Sequence, residues 1–239
     1  MSSPLKDKAA ELTRLLERVA LEHKPAALAS SLSAEDMVIT DVILRRRLGI
    51  GIFTLDTGRL HADTLNVVEA IRERYGYQMQ IFRPDPAAVA EYVETHGRDA
   101  FYGSVDLRKR CCHIRKVEPL ERALEGKKAW ITGQRREQSS TRAALAVEER
   151  DAARGMAKFN PLADWSEREV WEYIREHGVP YNALHDQGYR SIGCAPCTRP
   201  TVAGEDARAG RWWWELQDAR ECGLHVTADG RLVRARETA

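Results

Sequence analysis

Five cysteines carry the most reactive side chains in this 239-residue chain: adjacent Cys111 and Cys112, then Cys194 and Cys197 far downstream, then Cys222 near the end. Adjacent cysteines rarely bridge each other, because the small ring they would close is strained. Four thiolates can hold a structural zinc ion or an iron–sulfur cluster. The spacing favours the cluster. "CAPC" alone reads as half of a zinc site or as a redox pair; a zinc ribbon would pair it with a second C-x-x-C, but its partner here is C-C, and two adjacent cysteines reach one tetrahedral ion only with a strained backbone. A cubane offers separate irons, so each neighbour can take its own. Unliganded buried cysteines are the third reading, disfavoured by Lys109, Arg110, Arg115 and Lys116 around the first pair, since cations favour thiolate. For Arg110 and Arg115 a solvated helix face is the plain alternative. Cys222 lies in the polar stretch "RECGLH", whereas a buried structural cysteine belongs in an apolar run. Beside arginine and histidine it is a candidate nucleophile; a surface thiol without a role is the alternative.

A second set of residues points to an anion. "SLSAEDM", residues 31–37, follows an apolar run and opens a helix. Serines and backbone N–H groups at a helix N-terminus suit phosphate, although a serine there could simply cap the helix. The loop has neither the glycines nor the lysine of a Walker loop. "TLDTGR" and "TGQRREQSSTR" add Arg59, Arg135, Arg136 and Arg142, and "EDARAGRWWWE" adds Arg208 and Arg211. The guanidinium fork suits bidentate binding of phosphate or sulfate. The Trp212–Trp214 run is expected to anchor the C-terminal segment on the sheet domain.

The elements that must position these residues alternate along the chain. Helical periodicity covers 5–23, 34–47 (Met37, Val38, Val42 and Ile43 inward), 61–76 with Gly76 as C-cap, 86–97, 113–126 and 166–178, the last capped by Ser166 with Glu169 as its capping-box partner. Apolar runs at 26–30, 50–56, 78–84 and 128–133 read as strands, and 158–165 as extended chain. Strand–helix alternation predicts an α/β fold with a parallel sheet covered on both faces. In such sheets the ligand lies outside the carboxyl ends of the strands, which is where the anion loops begin. Periodicity fades after residue 180, and 219–239 has few apolar residues and is expected to be mobile unless docked.

Hydrophobic residues make up 43% and charged residues 31%, an ordinary globular balance, and the formal net charge is +1. Nothing here predicts a nucleic-acid binder. The charged N-terminus and the absence of an 18-residue apolar run predict a cytoplasmic protein without a membrane span.

Taken together, "SLSAEDMV", "TLDTGRL", "KRCCHIRKVEPL", "TGQRREQS", "GCAPCTRP", "GEDARAGRWWWE" and "ECGLH" resemble the assimilatory adenylyl-sulfate reductases within the phosphoadenylyl-sulfate reductase family, over about residues 25 to 225. The resemblance implies an adenine-nucleotide α-hydrolase-like fold related to ATP pyrophosphatases, with three parts: an N-terminal helix over 1–24, a nucleotide-binding reductase domain over 25–205 and a mobile catalytic segment over 206–239. It implies a [4Fe-4S] cluster on Cys111, Cys112, Cys194 and Cys197, with Cys222 as nucleophile. In the implied reaction Cys222 attacks the sulfur of adenosine 5'-phosphosulfate, AMP leaves, and reduced thioredoxin (or a glutaredoxin-like donor) releases sulfite from the S-sulfocysteine. Lys116, Arg142, Arg208 and Arg211 are expected around the phosphosulfate. Ser30, Ser31, Leu32 and Ser33, then Leu55, Asp56, Thr57, Gly58 and Arg59, with Gly133, are expected on the adenosine and phosphate side. His225 is expected to orient the tail or the thioredoxin contact. The implied state is compatible with a homo-oligomer. Three alternatives stay open: a 3'-phosphorylated substrate or dual specificity, a zinc-stabilised nucleotide-binding module, and an ATP pyrophosphatase, whose S-G-G-x-D-S loop "SLSAED" does not match.

Overall fold

The computed structural model describes residues 4–139 and 142–215. Its centre is β1 (Ala26–Ser30), an apolar run buried on both sides. Parallel neighbours flank it: β2 (Ile50–Leu55) and then β3 (Gln80–Phe82) on one side, β4 (Ala129–Ile131) and then β6 (Met156–Phe159) on the other. The strand order is β3-β2-β1-β4-β6-β5. The chain therefore reverses its direction of winding between β1 and β4, the position where open α/β sheets leave a crevice.

Because side chains alternate along a strand, the sheet feeds two cores. Ala26, Leu28, Ile50, Ile52, Ala129 and Ile131 face α1 (Pro4–Glu22), α2 (Ala34–Arg45), α3 (Ala62–Tyr75) and α7 (Glu167–His177). Ala27, Phe53 and Trp130 face Leu120, Ala123 and Leu124 of α6 (Glu118–Leu124). Helix α1 joins through Leu5, Leu12, Leu16 and Val19, all buried and all on one face. Gly76 closes α3 at φ 64°, and Ser166 and Glu169 form the reciprocal capping box that opens α7.

Three sequence expectations need correction. The sheet is not wholly parallel: β5 (Glu148–Asp151) runs antiparallel to β6 as an edge strand. Its sequence, EERD, carries no apolar alternation, so no pattern announces it; pairing with β6 decides its shape. The extended reading of 158–165 holds only through Phe159, after which Asn160–Trp165 turns. The helix expected from 113 starts eight residues earlier, as α5 (Val105–Cys112), with Ser104 accepting from the Leu107 N–H as N-cap. A π-helical turn, His113–Val117, joins α5 to α6. Pro119 cannot donate to the Arg115 carbonyl, which loosens the helical ladder at that turn. Helix α4 (Pro86–His96) lies before this rod.

Candidate active site

A cavity of about 240 Å³ opens at the carboxyl ends of β1, β2 and β4. Its rim is built by the first strand's loop. Leu32 sits in the left-handed region (φ 63°) although it is not glycine, and it is fully buried. The strain is held by hydrogen bonds: the Leu32 N–H donates to Ser30 Oγ (3.2 Å), and both the N–H and the hydroxyl of Ser31 donate to Asp36 Oδ2 (2.7 and 2.6 Å). Ser33 occupies the N-cap position of α2, but its side chain makes no capping bond. The simple cap reading of these serines therefore fails. The Ala34 N–H is instead taken by His185 Nε2 at 3.3 Å, and burial holds that imidazole below its ordinary pKa.

Asp36 is the clasp of the site. Burial pushes its carboxyl up to about 6 against the opposing pull of the Ser31 hydrogen bonds. A Cβ on Gly133 would collide with Asp36 Oδ1 and Glu35 Cβ, so only glycine lets the β4 loop lie this close to the β1 loop. Glu35 binds Arg135 (2.8 Å) and Gln138 (3.0 Å), so the Arg135 charge is spent on a carboxylate rather than offered to an anion. Arg136 pairs with Asp164 outside the cavity, and Arg190 with Glu167 on its wall.

Of the residues expected to bind an anion, Ser30, Ser31, Ser33, Leu55, Thr57, Lys116, Gly133, Arg142, Arg208 and Arg211 all line this cavity. Leu32 lies beneath it. The "LDTGR" loop divides. Gly58 (φ 70°) turns the chain, Asp56 pairs with Arg83 (3.0 Å), and Arg59 points away to a second site. Gly193, which opens the "GCAPCTRP" stretch but was not expected at the site, lies against the Arg211 guanidinium, where a Cβ would clash.

That second site is the cysteine site. Cys111, Cys112, Cys194 and Cys197 line one small cavity together with Phe101, Trp212, Arg59, Arg108, Arg115 and Lys116. None of the four is in a disulfide. Two elements bring them together. The end of α5 supplies the pair; neighbouring residues on a helix point about 100° apart. The short 3₁₀ turn Ala195–Cys197 supplies the others, and Leu60 bridges to Cys194 while the Ala195 N–H donates to the Arg59 carbonyl (2.8 Å). Arg115 Nη1 donates to the Thr57 carbonyl at 2.7 Å, whereas Arg110 is exposed beside His96 and Glu91. Of the two arginines left open by sequence, one belongs to the site and one to the surface.

The four thiols are not equivalent. Burial pushes Cys194 up, but Lys116, the Thr57 hydroxyl at 3.3 Å, Arg211 and Arg115 together outweigh it and leave the thiol below its ordinary pKa. Burial, with Cys194 as neighbour, pushes Cys197 up to about 12, and burial likewise raises Cys111. A metal core bringing positive charge between the thiolates would relieve that cost. The donor set fits a cluster in two further ways. All four cysteines share the one cavity. Arg59 Nη1 and Trp212 Nε1 are buried there with no hydrogen-bond acceptor among the described residues.

Trp212 (φ 44°) is buried against these cysteines and under Arg108, 4.6 Å from its ring. The tryptophan run thus meets the α/β domain through its cysteine site. Arg108, fully buried, holds Glu215 through two bonds of 2.9 and 2.8 Å. Sequence reading missed Arg108, because "LRKRCC" looks like a charged surface; its spacing of four from Cys112 on one helix was the available signal. Cys222 and His225 lie outside the described residues.

A mostly parallel sheet with its pocket at the β1/β4 crevice defines an open α/β protein, and the thiol site beside the pocket sets it apart within that class. Yeast FAD synthetase shows the same fold at 14% identity, TM-score 0.52, over 84% of this chain and 70% of its own. The family model for the phosphoadenosine phosphosulfate reductase domain matches residues 25–200, and the chain belongs to that family. An adenosine 5'-phosphosulfate reductase of Burkholderia cepacia is 57% identical over 95% of this chain and 91% of its own. The phosphoadenylyl-sulfate reductase of Candida auris, solved with phosphate, is 27% identical with TM-score 0.69, covering 83% of this chain and 98% of that one.

Proposed function

We propose that the chain is an assimilatory reductase converting adenosine 5'-phosphosulfate to sulfite and AMP. The observation that carries this reading is Lys116, which lines both the anion cavity and the cysteine cavity. Lys116, Arg135, Arg142, Arg190, Arg208 and Arg211 face only Glu35, Asp36 and Glu167 around the cavity. That surplus of cations suits a dianion approached by a thiolate, where negative charge accumulates in the transition state.

In this mechanism the β1 and β2 loops hold the nucleotide, and Lys116, Arg142, Arg208 and Arg211 hold the phosphosulfate. The Cys222 thiolate attacks sulfur; the sulfur–oxygen bond breaks and AMP leaves with its electron pair. A thioredoxin or glutaredoxin-like thiolate then attacks Cys222 Sγ and expels sulfite. The donor's second thiol closes its own disulfide and returns Cys222 as thiolate, so two electrons come from the donor. His225 orients this segment. Cys111, Cys112, Cys194 and Cys197 would hold a [4Fe-4S] cluster, which would supply structural order and a fixed field, the electrons coming from the donor thiols. Residues 25–205 form the nucleotide and cluster unit, 206–239 the catalytic segment, and the reaction belongs to the cytoplasm.

The assay is sulfite release with reduced thioredoxin. The reading requires a higher kcat/KM for adenosine 5'-phosphosulfate than for its 3'-phosphorylated form. Equal or reversed preference would assign the chain to the alternative substrate, and no release from either would remove the reading.

A further inference from the structure

Arg59 leaves the anion cavity for the cysteine cavity, and the loop around it is built to hold that direction. The Gly58 N–H donates to Asp56 Oδ1 and the Arg59 N–H to Thr57 Oγ1. Gly58 (φ 70°) reverses the chain between Thr57 and Arg59. The Arg59 carbonyl accepts from Ala195 inside the C-x-x-C turn. The guanidinium is then fixed from two sides: Nη2 donates to Asp99 at 3.0 Å, and Cζ lies 5.0 Å over the Phe101 ring. Only 11% of the side chain is exposed. Its remaining terminal nitrogen, Nη1, is buried with no acceptor among the described residues, and the side chain lines the cavity of the four cysteines. Burying an unused charged donor is costly; Asp99 and Phe101 stabilise the charge but leave Nη1 without a partner of its own among the described residues.

We infer that Arg59 is a positioning residue for the group held by the four cysteines, donating Nη1–H to its sulfur, and not a ligand of the nucleotide phosphate. This rests on the [4Fe-4S] reading above. A cationic donor fixed by Asp99 and Phe101 stabilises an anionic cluster and the thiolates that hold it, in the way that outer hydrogen bonds tune metal sites. Asp99, more exposed, sets the angle of the fork without touching the cavity.

The test compares wild type, Arg59→Ala and Arg59→Lys, purified without oxygen, by iron and sulfide per chain, rate of iron loss to a chelator, reduction midpoint and KM for adenosine 5'-phosphosulfate. The expected result for Arg59→Ala is iron loss about tenfold faster and a more negative midpoint, with KM within about twofold of wild type. Arg59→Lys keeps the charge without the fork and falls between. Wild-type iron retention and midpoint in both variants, with a KM raised about tenfold or more, would overturn the inference and return Arg59 to the substrate. Wild-type protein without iron would overturn the four-cysteine reading itself, whatever Arg59 does.

Discussion

Lys116 stands where the two cavities meet, and its charge lowers the Cys194 thiol on one side while lining the anion pocket on the other. Replacing Lys116 with Ala is expected to lower kcat/KM by about 10²-fold, the usual cost of losing one fixed donor to transition-state charge. Unchanged turnover would sink the link between the two sites. Asp36 gives a second residue-scale prediction. Its folded pKa of about 6 lies above the ordinary 3.8, so the folded state holds a proton that the unfolded state releases between those values. Its contribution to stability is present below pH 3.8 and lost as pH rises through about 6, on the order of 3 kcal/mol. Asp36→Asn removes that proton. Urea midpoints from pH 4 to 7 should therefore fall less steeply, or rise more steeply, in the variant than in wild type; parallel curves would contradict the assignment. At this scale the sequence was most legible for side chains that chemistry itself marks, the cysteines and the pocket cations. It was least legible for Arg59 and Arg135, whose direction depends on Asp99 and Glu35, partners 40 and 100 residues away.

Helix α5 and the tryptophan run form one element pair, joined by Arg108 and Glu215. A bidentate ion pair with both side chains buried is expensive to break from one side. Glu215→Ala is expected to cost about 3–5 kcal/mol in equilibrium unfolding, against about 0.5 kcal/mol for Arg110→Ala on the exposed face. Equal effects would mean that the pair is not what fastens the C-terminal stretch to the cysteine helix. Element boundaries followed the same logic. Helices with clear caps, α3 at Gly76 and α7 at Ser166, were legible to within a residue. Helix α5 was not, because its register is set by burying Arg108 and Cys112 among Phe101 and Trp212, contacts that no local pattern records. Strand β5 likewise exists through its pairing with β6.

For the whole molecule, the βαβ order made the sheet and the location of its pocket legible, since winding that reverses between β1 and β4 opens a crevice there. What the order alone does not give is the second cavity: it needs the α5 rod, the 3₁₀ turn at Ala195–Cys197 and the loop after β2 to meet across the top of the sheet. We propose that this surface delivers phosphosulfate sulfur to the Cys222 thiolate. Intact-protein mass spectrometry after incubation with adenosine 5'-phosphosulfate and no thiol donor tests it most directly. The account predicts a gain of one sulfonate group, released as sulfite when reduced thioredoxin is added and absent in Cys222→Ser. An unmodified wild-type mass during sulfite production, or the same adduct in Cys222→Ser, would contradict it.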